Sequence, residues 1–170
     1  MPGLRLFATA GLLSAALVLS ACASSATTAA AAKSPSTNAP KAPVTAPTEA
    51  ERAGIEAAIQ HYLHGIAEPD RERLEKAFNS EHATMVRAVR NDEGIIEVSN
   101  FKDMRAVLDE WGARDEPPTG ALDSEILSIE VIDGRLALVS LRYWNTVYDA
   151  LILARVGDTW EIVAKAYTDQ

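Results

Sequence analysis

The apolar residues of this chain change their spacing at Leu122, and this change constrains the fold more than any other feature of the sequence. Before Leu122, apolar side chains recur every three or four residues, as they do on one face of a helix. After it, apolar residues follow the two-residue period of strands through the runs 124–132, 135–144, 146–156 and 160–167. Helices followed by an antiparallel meander predict an α+β fold.

Cap residues predict the helices that precede this meander. Thr48 and Glu51 have the spacing of a capping box at the start of a long helix. Asp70 is expected to cap a short second helix, and Asn100 to cap a third. A strand over 82–89 lies between the second and third helices. The sequence therefore predicts three helices packed on an antiparallel sheet.

Charge separates the chain into two parts at residue 49. All 24 acidic residues follow this point, together with 13 of the 16 basic residues, so segment 49–170 carries a net charge of −11. A nucleic-acid-binding surface needs an excess of basic residues against the phosphates. We therefore expect no nucleic-acid partner.

The start of the chain has the form of a bacterial lipoprotein signal. Arg5 precedes an apolar run over 6–18, and the sequence Leu19-Ser20-Ala21-Cys22 follows it. This resemblance implies that segment 1–21 is a signal peptide and that Cys22 becomes the lipidated N-terminus, carrying acyl chains such as palmitate. Cys22 is the only cysteine, so the lipidated protein would have no free thiol.

Segment 22–48 is expected to be a disordered tether between the lipidated cysteine and a domain over 49–170. It consists mostly of Ala, Ser, Thr and Pro, a composition that cannot bury enough apolar surface to fold. The residue after Cys22 is Ala23 and not Asp, which resembles the sorting pattern of outer-membrane lipoproteins. We therefore expect a protein anchored to the cell envelope, on the outer membrane facing the periplasm.

Residues spread over 52–168 resemble the putative lumazine-binding branch of the nuclear transport factor 2-like proteins. The matching residues are Tyr62, Gly65, Asp70, Leu74, Ala77 and Phe78 near the start, and Tyr148–Leu151, Gly157–Val163 and Lys165 near the end. The resemblance implies a cone-shaped domain, in which three helices pack on a curved antiparallel sheet and leave a cavity.

A cavity of this kind would suit a small apolar or aromatic ligand. The candidate pocket residues are Tyr62, Met85, Met104, Trp111, Trp144, Tyr148 and Asp149. No metal site is expected, because His61 and His64 lie away from the apolar helix face without further ligands beside them. We expect no cofactor and assign no catalytic residue.

Asp149 draws attention because it lies inside an apolar run, where a carboxylate must be paired or shift its pKa. In a regular hairpin closed at Val156 and Thr159, Lys165 would face the opposite side of the sheet from Asp149. A one-residue bulge would place the two side chains on the same face. The sequence leaves both registers open.

Three functions are compatible with these features. The first is a membrane-anchored module that binds a small ligand or a partner without turnover. The second is an acid-base enzyme, an isomerase or hydrolase-like protein, with Asp149 or His82 as the base. The third is a structural module that forms a homodimer through the outer face of its sheet.

Overall fold

The computed structural model describes residues 43–116 and 122–169. Within these ranges the helices are α1 (Glu49–Ala67), α2 (Arg71–Ala77) and α3 (Met104–Gly112). The strands are β1 (Val44–Thr45), β2 (Thr84–Arg90), β3 (Ile96–Phe101), β4 (Ser124–Ile132), β5 (Leu136–Tyr143), β6 (Val147–Val156) and β7 (Thr159–Asp169). The expected signal peptide, Cys22 and most of the expected tether lie outside the described residues.

The described strands form a single sheet in the order β1-β4-β5-β6-β7-β2-β3. Neighbouring strands are antiparallel, except that β2 pairs with β7 in parallel. The predicted α+β class, with three helices on a mostly antiparallel sheet, is confirmed.

The sheet includes a strand from the segment that we expected to be tether. Val44 and Thr45 pair with Ile132 and Val131 at the edge of β4, and Asp133 N–H donates to the carbonyl of Pro43. These backbone hydrogen bonds satisfy polar groups that an edge strand would otherwise leave unpaired. The folded part therefore begins before residue 49, although its composition there resembles a linker.

Helix α1 begins at the predicted capping box and ends at Ala67, shortly before Pro69. Glu51 N–H donates to the hydroxyl of Thr48 at 3.3 Å, and the Glu51 carboxylate accepts from Thr48 N–H at 2.8 Å. Gly65 lies inside the helix and is buried. A Cβ on Gly65 would lie 2.8 Å from the side chain of Leu74, so the glycine allows α1 and α2 to pack closely.

Helix α3 begins later than predicted. The side chain of Asp103, and not that of Asn100, accepts the capping hydrogen bond from Ala106 N–H at 3.1 Å. Asn100 pairs with Val86, and Phe101 with Met85, as the last residues of β3. Pairing with β2 therefore keeps Asn100 in β3, although Asn is also a common helix-capping residue.

The helices cover one face of the sheet, which we call the inner face. Its buried apolar residues include Ala137, Val139, Leu141, Leu151, Leu153 and Ile162. Alternate residues on the outer face, among them Leu138 and Ile152, are exposed. Within residues 43–116 and 122–169, no helix combines the length and apolar character needed to cross a membrane.

Candidate functional site

An irregularity in β7 brings Asp149 and Lys165 to the inner face together. Val156 pairs with Thr159 and Leu153 with Ile162, but Ile152 pairs with Ala164, so Val163 is an extra residue in β7. Beyond this bulge Asp149 faces Tyr167, and Lys165 lies two residues away on the same face. The bulged register that the sequence left open is therefore the one adopted.

Asp149 and Lys165 form a buried ion pair. Lys165 Nζ contacts Asp149 Oδ1, and the two residues are only 3% and 4% exposed. Because burial removes both charges from water, such a pair persists only when other hydrogen bonds support it. Here the second carboxylate oxygen, Asp149 Oδ2, accepts a hydrogen bond from the Tyr62 hydroxyl at 3.0 Å.

Tyr62 and Tyr143 extend this cluster. Their hydroxyl oxygens lie 2.9 Å apart. Since Tyr62 uses its proton toward Asp149, the Tyr143 hydroxyl is the donor to Tyr62. Lys165 Nζ also lies 5.1 Å from the centre of the Tyr62 ring and 4.3 Å from that of Tyr167, within the range of a cation–π interaction.

Burial shifts the pKa of each group in this cluster in the direction that favours the neutral form of that group. It lowers the pKa of Lys165 to about 8, against the opposing effect of Asp149. It raises the pKa of Asp149, which Lys165 and Tyr62 in turn oppose. It also raises the pKa of Tyr62 and of Tyr143, so both hydroxyls remain protonated at neutral pH.

A cavity of about 230 Å³, which we call the aromatic cavity, opens above this cluster. Its lining residues are Tyr62, Ile66, Trp111, Arg114, Tyr143, Trp144, Lys165, Tyr167 and Asp169. The rings form a mutually packed set: Tyr62 lies 6.2 Å from Trp111 and 6.1 Å from Tyr143 between ring centres. The cavity wall therefore combines packed aromatic rings with the charged side chains of Arg114, Lys165 and Asp169.

Trp144 enters the cavity from the turn between β5 and β6. Its backbone is left-handed, with φ of 49°, and Asn145 follows with φ of 57°. Its backbone N–H donates to the carbonyl of Asp123 at 2.8 Å, and its ring packs edge-on against Tyr143 with 5.2 Å between ring centres. A left-handed conformation is rare for a bulky residue and common for Asn or Gly.

Asp169 lies at the opposite end of β6 and β7 from their connecting turn. Arg87 Nη2 donates to Asp169 Oδ2 at 2.6 Å, and this hydrogen bond raises the pKa of Arg87. Asp169 also pairs with Val147 in the sheet ladder. The carboxylate is thereby held in one orientation.

The predicted pocket residues fall into three groups. Tyr62, Trp111 and Trp144 line the aromatic cavity, and Asp149 lies beneath it, bonded to Lys165 and Tyr62. Met85 and Met104 are each 1% exposed and belong to the hydrophobic core. Tyr148 lies on the outer face with Arg142 and Thr168, because side chains alternate along β6 and Asp149 faces inward.

The histidines lie away from this site. His82 is exposed in a turn, where its backbone N–H donates to Asn79. His64 is paired with Glu68 at 3.5 Å on the surface of α1. In the part of the chain that the structure describes, no three His, Cys, Asp or Glu side chains come together as a metal site.

Sequence reasoning missed several cavity residues, including Tyr143, Tyr167 and Asp169. Tyr143 has the same parity along β5 as Leu141 and Val139, so its inward orientation could have been read from the alternation. Tyr167 and Asp169 could not be placed in this way, since the bulge at Val163 reverses the parity of β7. Their inward orientation depends on that backbone irregularity.

Solved structures with the same fold carry nuclear transport factor 2-like or cystatin-like descriptions. A nuclear transport factor 2-like protein of unknown function from Shewanella baltica aligns with a TM-score of 0.56 at 18% identity, covering 72% of this chain and 96% of that one. One from Methylobacillus flagellatus gives 0.57 at 17% identity, covering 73% and 95%. A cystatin-like fold protein from Burkholderia xenovorans gives 0.53 at 24% identity, covering 75% and 96%.

No curated protein matches this chain. The sequence pattern of the family described as "Putative lumazine-binding" matches residues 50–168, which include α2, α3 and β2 to β6 and all but one residue of α1 and of β7. This match and the shared fold confirm the resemblance drawn from the sequence. The chain belongs to the putative lumazine-binding family and has the nuclear transport factor 2-like fold.

Proposed function

We propose that the domain binds one small, flat, aromatic molecule in the aromatic cavity and does not convert it. The observation that carries this proposal is the cavity itself, whose walls are the rings of Tyr62, Trp111, Tyr143, Trp144 and Tyr167. Aromatic side chains that pack on the ligand, together with polar groups that orient it, are typical of small-ligand sites. The volume of about 230 Å³ lies below the ~300–1,000 Å³ of sites for drug-sized ligands, so a ligand of one or two fused rings is expected.

The charges around the cavity favour an uncharged ligand. Lys165 is neutralised by Asp149, and Asp169 is paired with Arg87. Arg114 lies 3.8 Å from Glu110 at the surface. Since each charge near the cavity has a partner of opposite sign, a charged ligand would lose its hydration without gaining a free counter-charge.

The family description suggests lumazine as the first compound to test. Lumazine is a flat fused-ring heterocycle, which matches the shape of the walls. Purified full-length protein should be examined by native mass spectrometry with and without added lumazine, beside Trp111→Ala and Tyr148→Phe. Trp111 lines the cavity and Tyr148 lies on the outer face. Binding of one molecule per chain, reduced in Trp111→Ala and unchanged in Tyr148→Phe, supports the proposal, whereas equal binding by Trp111→Ala contradicts it.

We further propose that lipid on Cys22 anchors the protein to the outer membrane, with the domain in the periplasm. The signal-like sequence ending at Cys22 supports this proposal. Metabolic labelling with palmitate, followed by membrane fractionation, tests it. Label on the wild type and none on Cys22→Ser is expected, and an unlabelled wild type would contradict the anchor.

An acid-base enzyme is the second candidate, because Lys165 lines the cavity and has a pKa of about 8. Two observations argue against Asp149 as the base. Its two carboxylate oxygens accept hydrogen bonds from Lys165 and Tyr62, and the residue is only 4% exposed. A bound ligand recovered with its mass and structure changed after incubation would favour the enzyme over the binding protein.

A homodimer through the outer face is compatible with ligand binding. The outer face carries a groove of about 510 Å³, lined by residues such as Val86, Leu138, Ala150, Ile152 and Ala166. Leu138 and Ile152 are each 37% exposed. We propose a second copy of this chain as the occupant of this groove, since its small residues would let two sheets approach closely.

A further inference from the structure

Strand β3 forms one end of the sheet and has an exposed, apolar edge. Within residues 43–116 and 122–169 it is the last strand in the order of the sheet, and all but its final residue are exposed. Ile96 and Val98 are 53% and 67% exposed, and Val98 is the most exposed large hydrophobic residue in this part of the chain. An open strand edge is a template for pairing with another strand, and folded proteins usually protect it.

The opposite edge of the sheet is protected in ways that β3 is not. Val44 and Thr45 pair with the last two residues of β4, and a bulge at Leu127 interrupts the ladder of that strand. In β3, the pairing with β2 is regular from Ile96 to Phe101, and the strand contains neither proline nor lysine. Bulges, prolines and lysines are the usual devices that keep an edge from pairing. The β3 edge therefore lacks the protection that the β4 edge has.

The hydrogen-bond pattern of the hairpin shows which backbone groups of β3 face outward. Asn91 N–H donates to the carbonyl of Ile95 at 2.9 Å, and this pair continues the register of β2 and β3. In an antiparallel ladder, pairs that exchange hydrogen bonds alternate with pairs that do not. The N–H and carbonyl groups of Ile96, Val98 and Asn100 therefore point away from β2, toward the open edge.

We propose that β3 pairs antiparallel with β3 of a second copy of this chain, about a two-fold axis at Val98. In this register Val98 lies opposite Val98 of the partner subunit, and Ile96 lies opposite Asn100 of the partner subunit. Each of the three outward pairs can then exchange two backbone hydrogen bonds, as a self-complementary two-fold contact requires. The exposed side chains of Ile96 and Val98 pack against the partner strand, which removes them from water.

The charges of β3 are compatible with this self-pairing. Glu97 is the only charged residue of the strand, and its carboxylate accepts a hydrogen bond from Asn91 Nδ2 at 2.7 Å, beyond the end of β2. In the proposed register Glu97 lies opposite Ser99 of the partner subunit. An axis at residue 97 would instead place the two Glu97 side chains opposite each other, which repulsion between like charges disfavours. The charge pattern therefore favours the axis at Val98.

This contact is separate from the outer-face groove, and it goes beyond the proposed ligand binding. Three outward-facing residues from each copy bury less than the ~1,000 Å² of a stable interface. We therefore expect edge pairing where copies are concentrated, as the proposed anchor at Cys22 would concentrate them on a membrane, and not in dilute solution. Ala166 lies on β7, and β2 separates that strand from β3. Edge pairing therefore does not require the outer-face dimer.

Cysteine cross-linking tests the register, in oxidant-treated membranes from cells that produce the full chain. Val98→Cys should form a disulfide-linked dimer, because directly opposite residues bring their Cα atoms to about 5.5 Å, within the range of a disulfide. Ile96→Cys and Asn100→Cys should each fail to link alone, since each cysteine would lie about 13 Å along the strand from its equivalent. The double variant Ile96→Cys, Asn100→Cys should link, because each cysteine then faces the other position.

Two controls account for links of other origin. The wild type, whose only cysteine is Cys22, shows any linking through that residue. Ala53→Cys, exposed on α1, shows the linking that random collisions produce. Val98→Cys should link well above both.

A proline at position 98 separates edge pairing from a structural role. Because Val98 N–H points away from β2, Val98→Pro removes a donor that only an outer strand can use. Added to the double-cysteine variant, Val98→Pro should abolish the link, whereas Val98→Thr, which keeps the N–H and a branched side chain, should retain it. The unfolding midpoint of Val98→Pro should stay close to that of the wild type. A link that survives Val98→Pro would overturn the proposal.

The remaining outcomes distinguish edge pairing from the other contacts. A Val98→Cys variant that links no more than Ala53→Cys would overturn the proposal, as would single Ile96→Cys and Asn100→Cys variants that link as well as the double variant. Adding Ala166→Glu should leave the Val98→Cys link unchanged. Loss of the link would assign the contact to the outer face and overturn edge pairing. None of these outcomes depends on ligand binding, which the lumazine experiment tests separately.

Discussion

Lys165 and Asp149 meet inside the domain because β7 contains one residue more than a regular hairpin requires. Without the extra residue, Val163, their side chains would lie on opposite faces of the sheet. With it, the ion pair supports Tyr62 and Tyr143 from below and forms the floor of the aromatic cavity. A local irregularity of the backbone therefore creates the polar centre of the candidate site.

The first prediction concerns this ion pair. Lys165→Met or Asp149→Leu alone should lower the free energy of unfolding by about 3–5 kcal/mol, because each substitution leaves the other ionisable side chain of the pair buried without its partner. The double variant should recover most of this loss, since it removes both desolvated charges. Urea unfolding at pH 7 measures all three. A double variant that is as unstable as the sum of the two single variants would contradict the pairing.

The second prediction concerns the dependence of stability on pH. The pKa of Lys165 is about 8 in the folded state and near 10.5 in the unfolded chain. Between these values the unfolded chain binds more protons, so the contribution of Lys165 to stability rises with pH. The raised pKa values of Tyr62 and Tyr143 have the opposite effect above pH 10.

The corresponding measurement compares urea unfolding of the wild type with that of the Asp149→Leu, Lys165→Met double variant at pH 7.5 and pH 9.5. The difference in stability between wild type and double variant should shift in favour of the wild type at the higher pH. A shift in favour of the double variant would mean that Lys165 is not destabilised in its charged form.

The third prediction tests the close packing of α1 on α2. Gly65→Ala would normally stabilise a helix by about 1 kcal/mol. Here the added Cβ would lie 2.8 Å from the Leu74 side chain, so we expect a loss of about 1–3 kcal/mol instead. Thermal unfolding gives the sign directly, and a gain in stability would show that the helices are farther apart than described.

The sequence predicted the fold better than it predicted the cavity. The caps at Thr48 and Asp70 were found because local hydrogen bonding decides them. The prediction of Asn100 as a helix cap was wrong, because Asn100 pairs with Val86 of β2 and therefore belongs to β3. The bulge at Val163 has no marker in the sequence, and the inward positions beyond it could not be assigned.

Tyr148 illustrates the same limit within the site. It was grouped with Trp144 because both are aromatic and lie near the same turn, but only Trp144 lines the cavity. Aromatic character identifies candidates, whereas the face of the sheet on which they lie depends on strand register.

The fourth prediction concerns the outer face. Ala150 and Ala166 are directly paired there, and both are exposed. Ala166→Glu should convert a dimer to a monomer, because it places a charge in the groove that the second copy is expected to fill. Light scattering after size-exclusion chromatography gives the mass. Ala53→Glu, exposed on α1, is the control and should remain dimeric; a monomeric wild type would contradict the dimer.

The central claim is that the aromatic cavity holds a small aromatic molecule, and a titration that reads the fluorescence of its tryptophans tests this most directly. Trp111 and Trp144 line the cavity, so a ligand bound there should change their emission. Full-length protein titrated with lumazine should saturate at one molecule per chain. Trp111→Ala should weaken this binding at least about tenfold, as expected for the loss of a stacking wall. No saturable signal with lumazine, or equal affinity in Trp111→Ala, would contradict a ligand site in this cavity.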